Sequence, residues 1–576
     1  MAELPPFVLF YLAALAAAVL PRRARQVVML AVPLVGGLAL MNLAPDLLVR
    51  VAFMDLYLEP LRVDKLSMLF GILFHIGAFI GIVFSLHVDD RSQHVAALLY
   101  AGSAIGAVFA GDLLTLFLFW EILALTSAFL IFASRTDRAW GAGMRYLVIQ
   151  VLSGVLLLAG ALMLYRHSGS LAFNHIGLNG AGSFLIFIAF GIKCAFPLLH
   201  NWLTDAYPEA TPTGTVFLSA FTTKVAVYAL ARGFAGTEAL VYIGVTMTCF
   251  PIFYAVIEND LRRVLAYSMI NQIGFMVVGI GLGTALAMNG AIAHAFNDVI
   301  FKGLLMMSMG AVLHMTGRIN GSDLGGLYKS MPVTAGLCIV GAASISAFPL
   351  FSGFVSKSMV MVAVLEEGHP GVWLALLFAS AGVFHHAGIK IPFFAFFSHD
   401  SGIRTTEPPL NMLAAMGLAA VLCVLIGCYP WALYELLPFS TGYAPFDGSH
   451  ILAQIQLLVF SAAAFAWLKV SGIYPPELRS TNIDVEWLYR RLAPRWLRHC
   501  TQRLTAVSDT LGQATQNASR VVMRSVVRHY GPEGTLARSW PTGSMVLWVA
   551  VLLAASLILY YLYDQLPTTF VYNDPI

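Results

Sequence analysis

The sequence has few charged residues. Asp, Glu, Lys and Arg make up 11% of its 576 residues, whereas soluble domains carry roughly a quarter. Hydrophobic residues make up 59%. This composition excludes an ordinary soluble protein and predicts a polytopic membrane protein. The net charge of +3 is too small to indicate nucleic-acid binding, and no basic stretch is interleaved with stacking aromatics.

Cysteine is also scarce, and its spacing indicates no cofactor. The six cysteines form no CxxC pair and no CxxxxC pair with a nearby histidine. Neither an iron-sulfur cluster nor a zinc site is therefore indicated. We expect reduced thiols, no metal, no cofactor and no catalytic residues.

Long apolar stretches are abundant. Sixteen of them have the length of about 17 to 25 residues that a membrane-spanning helix needs. The predicted fold is an all-α polytopic membrane protein with about 16 transmembrane helices. The first stretch, from Leu4 to Leu20, has no basic region before it, so we interpret it as a membrane span and not as a signal peptide.

Basic residues indicate the orientation of these spans, because Lys and Arg concentrate in cytoplasmic loops. They follow spans one, five, nine and eleven, which places those loops on one side and both ends of the chain on the other. A multi-pass protein of a bacterial cytoplasmic (inner) membrane is predicted. The residues concerned are Arg22, Arg23, Arg25, Arg135, Arg138, Arg145, Arg262, Arg263, Arg318 and Lys329.

One long polar stretch, residues 471–541, contains ten arginines and is predicted to be cytoplasmic. Apolar residues recur there at alternating steps of three and four, which is typical of an amphipathic helix. We expect this helix along the membrane surface or along partner subunits; a helix that covers its own domain is the alternative. The seam is Leu497, Cys500, Leu504, Val507, Leu511, Ala514, Ala518 and Val521.

The tetrapeptide Ala-Phe-Pro-Leu occurs twice, at residues 195–198 and 347–350, each time inside an apolar segment that also contains a lysine. Proline removes a backbone donor and clashes with the preceding turn, so both helices should be interrupted. We assign the breaks to Pro197, Pro349 and Gly353. Two five-helix repeats of opposite orientation, each with one broken helix, would place Lys193 and Lys357 at comparable depths. Chance recurrence of common membrane residues is the alternative.

Ionisable residues lie well inside several spans. A charge at mid-membrane costs about 2.5–3.5 kcal/mol on insertion scales, so each one indicates a partner or a function. The number of these ionisable residues favours a chain of titratable groups over a set of structural ion pairs. They are Glu121, Lys193, Lys224, His294, Asp298, Lys302, Lys357 and Lys390.

Two sets of these residues have helical spacing. His294, Asp298 and Lys302 are four residues apart and share one helix face, where each can pass a proton to the next. His386 and Lys390 repeat the spacing. For this second pair, side chains that extend toward the membrane interface are an equal alternative.

With these residues, the chain resembles the antiporter-like, proton-conducting membrane subunits of respiratory complex I, membrane-bound hydrogenases and Mrp-type cation/proton antiporters. The resemblance covers about residues 60 to 430. Its motifs are Val63-Asp64-Lys65-Leu66-Ser67, Phe119-Trp120-Glu121, Lys193 to Trp202 with His200, Lys224 with Tyr228, Asp260 to Ser268, His294 to Lys302, and Phe348 to Lys357.

The resemblance implies roles for single residues. Glu121 would pair with Lys193, and the approach and separation of the two would change the proton affinity of Lys193. Lys224 would link this half-channel to the next, His294 and Lys302 would continue the path, and Lys357 would serve the exit. Asp298 departs from the family pattern, in which many relatives have histidine. An acid there could hold His294 and Lys302 charged.

The resemblance also implies partners: homologous antiporter-like membrane subunits, the lipid bilayer, H+ and a monovalent cation such as Na+. Residues 484–490 look most like the D-type subunits of Mrp antiporters, which favours a cation/proton antiporter. The alternatives are a redox complex of the complex I or hydrogenase type, an inorganic-carbon uptake complex, a scaffold role, and a polytopic enzyme such as a lipid-linked glycosyltransferase.

The predicted organisation has six parts. They are N-terminal transmembrane helices (1–93), a first antiporter-like repeat (94–233), a second repeat (238–397), C-terminal transmembrane helices (409–470), the cytoplasmic basic segment (471–541) and a last transmembrane helix (543–563).

Overall fold

The computed structural model describes residues 5–54, 56–440, 442–474, 477–478, 482–535 and 541–564. The chain forms two compact units, Met1–Asp484 and Val485–Ile576. The first unit contains almost all of the helices. They are α1 Pro6–Val19, α2 Arg22–Met41, α3 Lys65–Ser85, α4 Arg91–Phe109, α5 Leu113–Phe132, α6 Asp137–Ser168, α7 Ala181–Lys193, α8 Asn201–Ala206, α9 Pro212–Ala220, α10 Thr222–Gly233, α11 Glu238–Ile257, α12 Leu261–Leu282, α13 Ala285–Thr316, α14 Pro332–Ile345, α15 Ser352–Glu366, α16 Pro370–Val383, α17 Leu410–Cys428, α18 Trp431–Tyr434 and α19 Gly448–Val470.

Thirteen helices of the described chain are long and apolar enough to cross a membrane, and three shorter apolar helices accompany them. This confirms the prediction of a helical, polytopic membrane protein, while the count of sixteen spans stays a prediction. Helices α12 and α13 are buried almost along their whole length, so they form the centre of the unit.

A small antiparallel hairpin is the one departure from the all-α prediction in the described chain. Strands β1 (Leu48–Phe53) and β2 (Leu56–Arg62) pair from Leu48 opposite Arg62 to Phe53 opposite Leu56. The Glu59 N–H donates to Asp112 Oδ2 at 2.6 Å, which ties the hairpin to the start of α5. The sequence did not indicate it because six- and seven-residue strands between two long apolar spans resemble an ordinary loop.

Both Ala-Phe-Pro-Leu tetrapeptides interrupt their helices, and they do so with the same backbone conformation. The first residue has φ of 61° at Ala195 and 57° at Ala347, and the last has φ of 71° at Leu198 and 72° at Leu350. In each copy the Phe N–H donates five residues back, to Gly191 O and to Ala343 O, at 3.0 Å. Two segments 152 positions apart thus adopt one local fold, which makes chance recurrence a poor explanation.

A third interruption lies between α9 and α10 at Phe221, whose φ is −110° and ψ −67°. The Thr222 N–H, displaced from the helical ladder, donates to the Tyr100 hydroxyl at 3.0 Å. No sequence signal marks this break, because the segment from Pro212 to Gly233 contains no internal proline.

The second unit contains α20 (Ala493–Tyr530) and α21 (Thr542–Asp564). Helix α20 is 38 residues long. Ala493, Pro494 and Cys500 are partly buried, and all its other residues are exposed. It continues through Gly512 and contains the predicted apolar seam. The predicted basic amphipathic helix therefore exists, and its place along a membrane or a partner stays a prediction.

The start of α3 is fixed by an acid that performs two tasks. The Asp64 carboxylate accepts the Ser67 N–H at 2.9 Å, and the Ser67 hydroxyl accepts the Asp64 N–H, which completes a capping box. The same carboxylate accepts two bonds from Arg232, at 2.9 and 2.7 Å. Burial raises the pKa of Asp64, but Arg232 and the Ser67 N–H outweigh burial and hold this pKa below its ordinary value.

We expect Asp64→Asn to lower stability at pH 7 by about 2 kcal/mol, the range for hydrogen bonds to a charged group. Asparagine still caps a helix, so the change removes mainly the charge. A carboxyl with a lowered folded pKa stabilises fully above its unfolded pKa of about 3.9 and stops doing so as the pH falls through the folded value. Thermal unfolding in detergent at several pH values checks this: the gap between variant and parent should close below about pH 4. Equal midpoints at pH 7 would contradict it.

Candidate functional site

Buried ionisable side chains project from α7, α10, α13 and α15 into the interior of the first unit. Lys193, Lys224, Asp298 and Lys302 are 0% exposed, and Lys357 is 2% exposed. Because the surrounding core is apolar, each charge must find a partner inside it.

Lys193 is the last residue of α7, immediately before the first break. Its Nζ donates to the backbone oxygen of Trp120 at 2.8 Å and lies 4.8 Å from the centroid of the Trp120 ring. Glu121 is half-buried on α5, and its Oε1 has no hydrogen-bond partner in the described chain. No ion pair within 4.0 Å joins Glu121 to Lys193 among the described residues. The two groups suggested as a pair are thus near in the fold but separated.

Gly154 of α6 explains where the Glu121 side chain lies. A Cβ at this glycine would come within 1.4 Å of Glu121 Oε1. The carboxylate therefore occupies the space that a larger residue on α6 would take, so α6 sets the position of Glu121.

The only ion pair between fully buried side chains in the described chain joins Lys224 to Asp298. Lys224 Nζ lies 2.6 Å from Asp298 Oδ2, and both side chains are 0% exposed. Asp298 also acts electrostatically on Lys302 and Lys357 at longer range. One carboxylate therefore faces three lysines.

The remaining members of the α13 face have neutral partners. His294 contacts Ser356 Oγ through Nδ1 and Gln272 Oε1 through Nε2, both at 3.0 Å. Lys302 Nζ donates to Ser268 Oγ at 2.8 Å. The acid between them pairs with Lys224 on another helix, and not with Lys302 as the helical spacing suggested.

Lys357 lies in α15, just after the second break. Its Nζ donates to the backbone oxygen of Ile345 at 3.2 Å and lies 5.0 Å from the Phe275 ring centroid. Ile345 ends α14, so the lysine bonds to a carbonyl that the break leaves without a helical partner.

Lys224 repeats this arrangement at the third interruption. Its Nζ donates to the backbone oxygen of Ser219 at 3.0 Å, across the junction of α9 and α10. Lysines at two interrupted helices thus use backbone carbonyls as neutral acceptors, and Lys193 uses the carbonyl of Trp120. An acceptor of this kind holds an ammonium without fixing it as an ion pair, because a carbonyl carries only a partial charge.

His386 and Lys390 lie in a π-helical stretch, Phe384–Lys390, that continues α16. Such wide turns are rare and occur frequently at functional sites. Lys390 is fully buried: its Nζ donates to Val256 O and Glu258 O, each at 2.6 Å, and pairs with Glu477 at 3.0 Å. It therefore does not extend toward an interface. Both ring nitrogens of His386 lack a hydrogen-bond partner in the described chain.

Glu477 follows α19 and supplies the anion for Lys390. Burial raises the pKa of its carboxyl, and the Lys390 ammonium opposes that effect. The contact is formed by a segment more than 80 residues away in sequence, which helical spacing cannot indicate.

His200 follows the first break and belongs to a second group of buried polar residues. Its Nε2 lies 3.2 Å from Asp484 Oδ2, which also accepts the Tyr267 hydroxyl at 2.7 Å. Of these residues, only His200 was predicted to belong to the site. Asp484, Tyr267 and Ser268 occur only inside motifs of the family resemblance, and Gln272 was not indicated. The signal that could have indicated Tyr267, Ser268 and Gln272 is their place as polar residues on α12, a helix that is buried almost throughout.

The profile of the family described as NADH:quinone oxidoreductase/Mrp antiporter, TM, matches residues 110–384. That range includes the site from Glu121 to Lys357 and both helix breaks.

Curated relatives of two kinds are similar to the chain. The A-type subunit of the Na(+)/H(+) antiporter of Alkalihalophilus pseudofirmus is 29% identical over 421 residues, which are 64% of this chain and 52% of the relative. The D-type subunit from the same organism is 30% identical over 309 residues, 49% of this chain and 62% of the relative. Hydrogenase-4 component B of Escherichia coli is 27% identical over 425 residues, which are 64% of this chain and 62% of the relative. The chain thus spans between about half and two thirds of these relatives.

Two solved structures share the fold. A chain of the Mrp complex from Dietzia sp. DQ12-45-1b superposes with a TM-score of 0.68 at 21% identity, covering 80% of this chain and 100% of that one. A chain of the archaeal membrane-bound sulfane sulfur reductase superposes with a TM-score of 0.69 at 22% identity. This superposition covers 96% of the present chain and 100% of the reductase chain. These superpositions show the fold, and the profile match shows that residues 110–384 are similar to the family described as NADH:quinone oxidoreductase/Mrp antiporter, TM.

Proposed function

We propose that the chain is the proton-translocating subunit of a multi-subunit monovalent cation/proton antiporter, with Na+ as the cation. The observation that carries this proposal is the buried ion pair between Lys224 and Asp298, with further ionisable side chains on both sides of it. A purely structural pair needs no additional buried lysines. A proton path needs several groups that exchange protons, directly or through water.

The proposed path begins at Glu121 and Lys193 and reaches Lys224 and Asp298. It continues along α13 through His294 and Lys302, and leaves through Lys357. His200, His386 and Lys390 belong to its flanks. A proton moves when a lysine loses a nearby carboxylate, because the anion favours the ammonium form and burial opposes it.

We further propose that residues 94–233 and 238–397 form the two inverted repeats, with breaks at Pro197 in one and at Pro349 and Gly353 in the other. The similar backbone conformation of the two tetrapeptides supports the repetition, and their opposite orientation stays a prediction. Gly353 has a steric reason to be glycine: a Cβ there would meet Ser344 O at 1.8 Å, inside the break.

The proposed partners are homologous antiporter-like membrane subunits, as the names of the Na(+)/H(+) antiporter relatives suggest. A second candidate is the same role in a redox complex. It is favoured by the similarity to hydrogenase-4 component B and by the 96% coverage in the superposition on the sulfane sulfur reductase chain. The proteins that co-purify with the chain distinguish the two, because the redox complex requires a partner with iron-sulfur cysteines.

We expect Glu121→Ala and Lys193→Ala to abolish cation-dependent proton flux in vesicles that contain the assembled complex, because each change removes one member of the first pair. Glu121→Asp should be milder, since it keeps the charge. Lys329→Ala is the matched control, because Lys329 is a half-exposed lysine paired with Asp400. Normal flux in a correctly assembled Lys193→Ala complex would show that the assignment is wrong.

A substitution outside the path tests the position of Glu121. Gly154→Ala places a methyl group where Glu121 Oε1 lies, so the carboxylate must move. We expect flux to fall by up to about 100-fold, the cost of a displacement near 1 Å in a positioned group. Gly336→Ala is the control, because a Cβ at Gly336 meets nothing within 4 Å. Equal flux in both variants would contradict the importance of this position.

The central pair can be tested through stability as well as flux. Asp298→Asn leaves Lys224 buried without its anion, and we expect a loss of about 3–5 kcal/mol and a loss of flux. The double variant Lys224→Met/Asp298→Leu should regain most of the stability, but not the flux. Thermal unfolding of the detergent-solubilised complex and flux in vesicles check the two effects. A double variant with normal flux would exclude the pair from the path.

A further inference from the structure

The second helix break opens on a cavity of about 150 Å³ that the path described above does not use. Its lining includes Lys357 and Ser358 of α15, Ser380 of α16, and His450 and Gln454 of α19. The polar residues come from three helices and meet at one side of the break. The remaining lining residues are mostly apolar.

A side chain of helix α19 forms a hydrogen bond to the backbone of the second break. Gln454 Nε2 donates to the backbone oxygen of Ser346 at 3.0 Å. Lys357 Nζ donates to the preceding carbonyl, that of Ile345, at 3.2 Å. Two consecutive carbonyls at the end of α14 are therefore bonded by one side chain from each of two other helices.

His450 lies one helical turn before Gln454, so both residues share the face of α19 that borders the cavity. Its side chain is half-buried, whereas the preceding residues, Asp447 to Ser449, are exposed. His450 thus stands between the protein surface and the cavity. Its Nδ1 is buried and has no hydrogen-bond partner in the described chain.

Leaving a buried polar atom without a hydrogen-bond partner is unfavourable, and water normally provides the missing bond. A cavity of 150 Å³ has room for several water molecules, and it offers polar partners in Lys357, Ser358 and Ser380. Water in this space would lie between Lys357 at one end and His450 at the other.

We propose that this cavity is hydrated and that His450 exchanges protons between Lys357 and the aqueous phase, an inference that rests on the function proposed above. The Lys357 ammonium gives one proton to a water molecule, and that water gives one to His450 Nδ1. The imidazolium then releases one proton from Nε2 to solution. The imidazole is then left with its proton on Nδ1, and a ring flip or proton exchange with water returns it to the Nε2–H form. The reverse sequence moves a proton inward.

Other ionisable groups near His450 are less suited to this step. Asp447 is exposed, and its carboxylate already accepts the Ser449 N–H at 3.1 Å. Tyr443 interacts with Ser358 and with the charge of Glu366. A phenol has one oxygen for both steps, whereas an imidazole can accept a proton at one ring nitrogen and release one from the other.

Hydration of the cavity can be tested without any flux measurement. In the full complex in vesicles, Ser358→Cys should react with a small, water-soluble methanethiosulfonate reagent. Ser308→Cys is the matched control, because Ser308 is fully buried in α13 and bonds within the core. Adding His450→Trp should slow the labelling of Ser358→Cys by filling the mouth. Labelling no faster than that of Ser308→Cys, after subtraction of the parent's native thiols, overturns the proposal.

Proton exchange by His450 is tested by chemical rescue. We expect His450→Ala to lower flux by about 100-fold, the lower end of the range for a positioned proton-transfer group, and added imidazole to restore most of it. His450→Gln keeps the shape and hydrogen bonding but should stay impaired. Unchanged flux in His450→Ala, or a loss that glutamine but not imidazole repairs, overturns the role. Normal flux in Lys193→Ala would instead contradict the proposed function and leave the labelling result in place.

Discussion

The ion pair between Lys224 and Asp298 is the constraint around which the site is organised. Both side chains are fully buried, and their charged atoms are 2.6 Å apart. Removing two charges from water costs several kcal/mol for each ion, and mutual attraction repays this only with good geometry. Asp298 is the single carboxylate of the group formed with Lys224, Lys302 and Lys357. The other two lysines must therefore hold neutral acceptors or lose their protons, and this is what makes the group suited to moving protons.

The interrupted helices supply those neutral acceptors. A continuous helix uses its carbonyls internally, whereas a break frees several of them. Lys357 bonds to the last carbonyl of α14, and Lys224 bonds across the junction of α9 and α10. Freed carbonyls cannot face lipid without cost, so the breaks and the lysines satisfy each other. The repeated tetrapeptide and the buried charges, which are separate features of the sequence, are thus parts of one arrangement.

Much of this arrangement could be predicted from the sequence, since proline, intramembrane charges and four-residue spacing have direct physical consequences. The breaks at residues 195–198 and 347–350 and the shared face of His294, Asp298 and Lys302 follow from such local rules. What could not be predicted depends on contacts between distant segments. Asp298 pairs with α10 and not with its own helix, Lys390 finds Glu477, and His200 finds Asp484. The break at Phe221 has no proline to mark it, and the hairpin at Leu48–Arg62 is too short for periodicity to separate it from a loop.

The structure shows the two carboxylate–lysine combinations of the proposed path in different arrangements: one pair is in contact and the other is apart. Asp298 and Lys224 are in contact, whereas Glu121 and Lys193 are apart, with Lys193 bonded to the Trp120 carbonyl. A backbone carbonyl stabilises the ammonium form of a lysine less than a carboxylate does, because the carbonyl oxygen carries only a partial negative charge. Moving Glu121 toward Lys193 would therefore favour loading of a proton there, and opening the central pair would favour its release. Gly154 leaves room for Glu121 in the separated position, so we expect the packing of α6 against α5 to influence how often Glu121 approaches Lys193 at the start of the proposed path.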